Sequence, residues 1–197
     1  MYYESSNSLA HYGVKGMKWG VRRAEKKQAR AERKQAKRNE KYSPKVEKKY
    51  TKAGRLEGYS KYYRDRGDEI TGNAEKSASK LESASRKYKR EGKTGRAVAA
   101  QLSANAVRNT AADSAKDYYS AAERYANSAA RSKEKASTYA TKKRVDVGKE
   151  RVNAAFNSGK KSGYNVAKSN DEYLREESKR QAMGDTGYAV YNTLRER

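Results

Sequence analysis

The chain has 197 residues, of which 36% are charged and 35% hydrophobic, and its formal net charge is +23. Its apolar residues are mainly Ala and Tyr, with one Phe and no Cys. The absence of Cys excludes a disulfide framework and a thiolate metal site. So little apolar area could hardly offset the entropy lost on folding into a compact globule. The composition therefore predicts a mostly α protein of extended helices with weak, coiled-coil-like Ala/Tyr seams.

Residues 1–10 are polar and are expected to be loose. They lack the basic start and apolar core of a signal peptide. No apolar run in the sequence approaches the length needed to cross a bilayer. We expect a soluble or assembly-bound protein with no membrane partner.

Residues 11–23 gather rare residue types, including the only His, the only Trp and three of the fourteen Gly. Three Gly in eight residues argue against a stable helix here. Trp and Arg are enriched at binding hot spots, so the stretch is typical of a docking peptide. The alternative is that Trp19 packs on the protein's own helices. The residues assigned to docking are His11, Gly13, Gly16, Met17, Lys18, Trp19, Gly20 and Arg22.

Those eight residues resemble, position by position, an element written roughly His-x-Gly-x-x-Gly-Met-Lys-Trp-Gly-x-Arg, found in tailed-phage and prophage proteins of the head and packaging region. The resemblance covers residues 11–23 alone. The aromatic-Gln, Asp-Gly and Leu-Thr continuation of many relatives is missing, because Ala24 leads into a basic helix. The resemblance implies a virion protein with capsid or portal partners, present in the host cytoplasm during assembly.

Positive charge is concentrated after this element. Residues 21–66 contain 18 Lys/Arg and 6 Asp/Glu, a net of +12. A polyanion such as packaged DNA is the natural partner of this segment, and a solvated charged helix is the alternative. Residues 24–66 are expected to form a basic helical segment. The residues assigned to nucleic-acid binding lie at and after its start, and they are Arg23, Lys26, Lys27, Arg30, Arg33, Lys34, Lys37 and Arg38.

The sequence also contains residues that favour the start or the interruption of a helix. Pro44 after a Ser predicts a helix start, because Ser suits the N-cap and Pro the first helical position. Gly67 and Gly72 predict a break at the start of a long helical region, 67–183. The stretch between Pro44 and Gly67 contains Tyr59, Tyr62 and Tyr63 among cations. We favour a core role for these tyrosines over stacking on bases, because Tyr is the main large apolar residue of this chain.

The long helical region begins with a seam of heptad spacing over residues 70–88, and a turn at 92–95 follows it. The Gly-Lys-Thr of that turn lacks the earlier Gly and the buried strand of a phosphate loop, and Thr94 is expected to be an N-cap. Residues 96–142 form the longest helical candidate. Its predicted buried stripe is Val98, Leu102, Asn105, Asn109, Ala112, Ala115, Tyr118, Ala122, Tyr125, Ala129, Ser132, Ala136 and Tyr139.

Two glycine pairs mark the rest of the chain. Gly159 and Gly163 continue helical spacing and are expected to permit close packing or a bend. Gly184 and Gly187 break the pattern before a short amphipathic helix, giving a last segment 184–197.

The usual chemistry of an active site is missing from the sequence. His11 is the only His, and the acidic pairs lie among cations, where surface ion pairing explains them. We expect no enzyme activity, no cofactor and no metal. The sequence is interpreted as an oligomeric structural or virion-associated protein of a phage head. The alternatives are a nucleic-acid-condensing protein and a scaffold-like assembly factor absent from the mature particle.

Overall fold

The fold consists of three long helices. A computed structural model describes the backbone of residues 6–195 and the side chains of residues 21–184. The helices are α1 (Ser6–Arg90), α2 (Thr94–Lys143) and α3 (Lys149–Arg195), and no strand occurs within the described backbone. The prediction of a mostly α protein is confirmed.

Helix α1 is the spine of the molecule, and it packs against both α2 and α3. Its 85 residues would span about 130 Å at 1.5 Å per residue. The expected helix start at Pro44 is wrong, because α1 runs through it. Pro44 itself is exposed, while Ser43 and Val46 beside it are buried. Packing on both sides of the proline therefore holds the helix together.

The glycine breaks expected in this region are also wrong. Helix α1 passes through residues 11–23, Gly67 and Gly72 without interruption. At Gly67 the reason is tertiary packing, since a Cβ there would lie 2.7 Å from the ring of Tyr119. The predicted segment boundaries at 23/24 and 66/67 thus mark changes in composition inside one helix.

Helix α2 runs back along α1 and buries a row of alanines. The turn between them uses Gly92 with φ 71°, as a tight turn requires. Lys93 precedes the first helical residue without a capping side-chain hydrogen bond, so the expected N-cap role of Thr94 is wrong. The residue range of α2 agrees with prediction, although α1 is longer. Its buried residues are Ala97, Ala104, Ala111, Ala115, Ala122, Ala129 and Ala136.

The predicted stripe on α2 is therefore correct in its second half and wrong in its first. Val98 and Leu102 are 58% and 64% exposed. Asn105, Asn109 and Ala112 are exposed as well. The buried positions in this half fall one residue away from the predicted ones, because alanine alone fills the narrow space beside α1.

Helix α3 runs parallel to α1, and the two backbones meet at glycines. A Cβ at Gly54 would lie 2.0 Å from the backbone oxygen of Phe156, and one at Gly159 would lie 2.1 Å from that of Thr51. Such contacts leave no room for any side chain. The close packing expected at the α3 glycines is confirmed. The four buried glycines of this crossing are Gly54, Gly58, Gly159 and Gly163.

The expected break near the C-terminus is confirmed in the backbone. Gly184 has φ 66° and ψ 168°, which interrupts α3 before helical geometry resumes. The apolar side chains assigned to the amphipathic ending after Gly184 lie outside the described residues.

Candidate nucleic-acid interface

The N-terminal part of α1 carries a solvated run of cations. Every side chain from 21 to 34 is exposed, and the run holds seven Lys/Arg and two Glu. We call residues 21–34 the basic arm. Ala, Glu, Lys, Arg and Gln fill almost all of it, and these residues favour helix without tertiary support. Gln28 also donates a hydrogen bond to Glu32 at 3.0 Å along the helix.

The connector between α2 and α3 marks where the arm ends. Gln35 Nε2 donates to the backbone oxygen of Arg144 at 2.9 Å. Asn39 Oδ1 accepts from the backbone N–H of Asp146 at 3.3 Å. From Gln35 onward α1 is held by the rest of the chain. Before this contact the helix continues back to Ser6.

The cations of the arm share one face. They recur at intervals of three and four residues, which keeps side chains on one side of a helix. Glu25 and Glu32 lie seven residues apart and fall on the opposite side. A shallow groove of about 470 Å³ runs along the cationic face. Its lining residues are Arg23, Lys26, Lys27, Arg30, Ala31 and Lys34.

Five of the eight residues predicted to bind nucleic acid thus line one groove. The other three, Arg33, Lys37 and Arg38, are exposed on the same helix but outside the groove lining. Their exposure fits both a solvated helix and a helix that lies along an acidic surface. Whether it binds a polyanion stays a prediction.

A second basic groove, which sequence reasoning missed, follows on α1 inside the bundle. It has a volume of about 880 Å³, and Leu56 and Tyr139 give it an apolar floor. Glu47, its one carboxylate, pairs with Arg151 at 2.7 Å. The signal was present in the sequence as a continuation of the three- and four-residue spacing. The cations of this groove are Lys45, Lys48, Lys49, Lys52 and Arg55.

The tyrosines between the cations form part of the core. The Tyr63 ring stacks on Tyr125, with centroids 5.5 Å apart and planes at 4°. Tyr62 is buried and meets the edge of Tyr164 at 5.5 Å. Tyr59 packs on Tyr125 at 5.2 Å. All three rings pack against other tyrosines, and the predicted core role is confirmed for the buried Tyr62.

A half-buried carboxylate fastens this cluster to α3. Asp171 accepts hydrogen bonds from the hydroxyls of Tyr62 at 2.5 Å and Tyr118 at 3.3 Å, and it pairs with Arg175. Burial alone would raise the pKa of Asp171, but the hydrogen bonds from Tyr62 and Arg175 hold that pKa below its ordinary value. Burial, and then Asp171, raises the pKa of Tyr62. The cluster holds the charge of Asp171 in place, and its role is structural. We call the contacts of Asp171 with Tyr62, Tyr118 and Arg175 the clasp.

The remaining expectations concern residues with little side-chain description. The docking element lies on α1, and Arg22 within it is exposed. The side chains of its other seven assigned residues, His11 to Gly20, lie outside the described part. Among described residues, no group of three His, Cys, Asp or Glu could hold a metal ion. None of the described helices is long and apolar enough to span a membrane.

Comparison with known proteins adds one finding. Residues 3–26 match a family described as a family of unknown function, DUF7211. The match encloses the docking element and ends inside the basic arm. No curated protein and no solved structure matches the chain.

Proposed function

We propose that this chain is a structural, virion-associated protein of a phage head whose basic arm binds the phosphate backbone of packaged nucleic acid. The observation that carries the proposal is the basic arm. Fourteen consecutive exposed residues hold seven cations against two carboxylates. A helix with one cationic face needs an acidic surface to lie against.

The bundle supports this role by presenting the arm. Buried alanines and glycines along α2 and α3 fix the rest of α1, so the arm ends at a defined point, just before Gln35. The second basic groove continues the same cationic spacing beyond that point. A strand of nucleic acid that follows the arm therefore meets cations from Arg22 to Arg55.

The arm's chemistry suits phosphates better than bases. Lys and Arg bind phosphate oxygens and release condensed counterions, which gives affinity that depends on salt and hardly on sequence. The tyrosines that could stack on bases are packed against one another inside the bundle. We expect binding without sequence preference.

The phage context rests on the docking element. Its eight assigned residues resemble the phage head-region element, and the family match over residues 3–26 encloses the same stretch. We propose that this element attaches the chain to a capsid or portal protein. Protein identification and copy number in purified particles test this part, because an assembly factor such as a scaffold would be missing from mature particles.

DNA binding is tested by replacing Lys26, Lys27, Arg30 and Lys34 with Gln and titrating a duplex at several salt concentrations. Each lost phosphate contact should reduce the log–log salt slope by about 0.9, so four lost contacts should reduce it by about 3.6. The matched control replaces four exposed cations at the other end of α1. They are Lys76, Lys80, Arg86 and Lys87.

The two variants carry the same net charge, so total charge alone cannot separate them. A loss of slope in the arm variant only supports the arm as the binding surface. Equal losses in both variants would mean that net charge, and no particular surface, governs binding. An unmeasurable affinity of the unmodified chain at low salt would assign the arm to an acidic protein partner.

A further inference from the structure

Helix α2 carries two seams of heptad spacing, and the chain uses one of them. The inner seam faces α1 through Ala97, Ala104 and Ala111, all buried. The outer seam lies about 100° round the helix, because each of its positions is displaced by about one residue and one residue turns the helix by 100°. The outer seam consists of Val98, Leu102, Asn105, Asn109 and Ala112, spaced 4, 3, 4 and 3.

The outer seam is open to solvent. Val98 is 58% exposed and Leu102 is 64% exposed, and the other three members are exposed too. Within the described residues, the backbone of α3 packs against α1 and not against α2. A regular apolar and amide seam of this period is the pattern by which two helices pair.

Charge distribution indicates what the seam accepts. Residues 97–112 contain a single charged side chain, Arg108, in a chain with a net charge of +23. Arg108 is neutralised inside the chain by hydrogen bonds to Glu75 at 2.8 Å and Glu82 at 2.6 Å. An acidic partner is attracted to the basic surfaces elsewhere on the chain, because the outer seam itself contains no cation. For a second copy, the seam is an almost uncharged surface on which two strongly basic chains meet with little repulsion.

We propose that the outer seam of α2 pairs with the same seam of a second copy, in an antiparallel arrangement centred on Asn105. A twofold axis at Asn105 places Val98 level with Ala112 and Leu102 within one residue, about 1.5 Å along the axis, of Asn109. The two Asn105 amides face each other, and each amide carries both donors and acceptors. A polar residue at such a position fixes the register of a helix pair.

Electrostatics selects the antiparallel arrangement. The outer seam lies near the α1–α2 turn, whereas the basic arm lies at the other end of α1. An antiparallel pair therefore points the two arms in opposite directions. A parallel pair would bring the two arms side by side, where their charges repel. The dimer then carries one basic arm at each end.

Sedimentation over a range of protein concentrations tests the pairing. The seam is only about four turns long, so we expect a weak dimer, with dissociation in the micromolar to millimolar range. Leu102→Lys places a charge in the seam and should weaken dimerisation at least tenfold. Leu174→Lys is the matched control, because Leu174 on α3 is 61% exposed and lies outside the seam. It should leave dimerisation unchanged.

Single cysteines test the arrangement, because the chain has no Cys of its own. Asn105→Cys should form a disulfide-linked dimer on oxidation. Leu102→Cys alone should not, whereas a mixture of Leu102→Cys and Asn109→Cys chains should cross-link to each other. A chain that stays monomeric up to about 1 mM, or a dimer that Leu102→Lys leaves intact, overturns the pairing. Self-cross-linking of Leu102→Cys overturns the antiparallel arrangement.

Discussion

Two stretches of the same helix, α1, are stabilised in different ways. In the basic arm, residues 21–34, every side chain is exposed, and helix formation depends on local propensity and neighbouring turns. In residues 43–67, buried Ser, Ala and Gly let α2 and α3 approach closely, and packing supplies the stability. The arm should tolerate substitutions as long as its positive charge is kept. The bundle tolerates almost no added atom where its backbones meet.

The largest effect on stability is expected where two backbones touch. At Gly58 an added Cβ would lie 2.2 Å from the oxygen of Lys160 and 2.6 Å from the nitrogen of Tyr164, and backbone atoms cannot rotate away. Gly58→Ala should therefore lower the free energy of unfolding by about 3 kcal/mol or more. Thermal and denaturant unfolding measure the change.

The control for that substitution lies on the same helix. Gly72 is exposed, and a Cβ there would meet nothing within 4 Å. Gly72→Ala should stabilise the chain by about 0.5–1 kcal/mol, because Ala favours helix more than Gly. A similar loss in both variants would show that glycine matters through backbone conformation and not through the crossing.

The next effect concerns the docking element beyond the arm. If Trp19 fills a pocket on a virion protein, Trp19→Ala should cost at least about 2 kcal/mol of binding and reduce recruitment into particles about thirtyfold. Its abundance in purified particles and its thermal unfolding in isolation are both needed. Normal incorporation with a lowered melting temperature would instead make Trp19 an internal packing residue.

A smaller effect is expected at the clasp between α1 and α3. Asp171→Asn should lower the free energy of unfolding at pH 7 by about 1–2 kcal/mol, because the hydrogen bonds from Tyr62 and Arg175 lose their charged acceptor. The ordinary pKa of Asp171 is 3.8, and the fold depresses it. Unfolded chains therefore bind this proton first, and the stability from Asp171 is present above about pH 4 and lost below it.

The alkaline side has the opposite sign. The fold raises the pKa of Tyr62 above its ordinary value of 10.0. The stability linked to its proton is complete below pH 10 and declines as the pH rises further. Denaturant titrations at several pH values measure the loss of unfolding free energy at both the acid and the alkaline end. Asp171→Asn should reduce the loss at the acid end. If the loss of stability at low pH is unchanged in Asp171→Asn, protonation of Asp171 is not its cause.

The smallest effect is expected in the arm itself. Replacing Lys26, Lys27, Arg30 and Lys34 with Gln should change the free energy of unfolding by less than about 0.5 kcal/mol, because these side chains contact solvent and Gln is also a helix former. The same variant should lose most of its salt-dependent DNA affinity. A large loss of stability would show that the arm packs against the bundle and would end the comparison between the two stretches.

Sequence reasoning succeeded where a single local rule governed the outcome. The turn at Gly92, the bounds of α2 and the kink at Gly184 followed from glycine and from helix formers. The helical conformation of the arm followed from its helix-forming residues. It failed at Pro44 and Gly67, where contacts made by distant segments override local preference.

The exposed half of the α2 stripe failed for a different reason. Val98 and Leu102 have stronger hydrophobicity than Ala97 and Ala104, so a hydrophobic pattern selects them as buried. The space beside α1 admits only alanine, and alanine carries little hydrophobic signal. Which of two adjacent seams faces inward depends on how close the helices come, and the sequence of one helix does not contain that distance.

The parallel crossing of α1 and α3 has a consequence for the order of events during synthesis. Its contacts join residues more than one hundred positions apart, such as Thr51 with Gly159 and Arg55 with Gly163. Helices α1 and α2 are joined by a short turn and can pair while the chain is still being made. The glycine face of α1 therefore stays unpaired until residue 163 has left the ribosome. A nascent chain that stops short of it is a two-helix hairpin with one uncovered side.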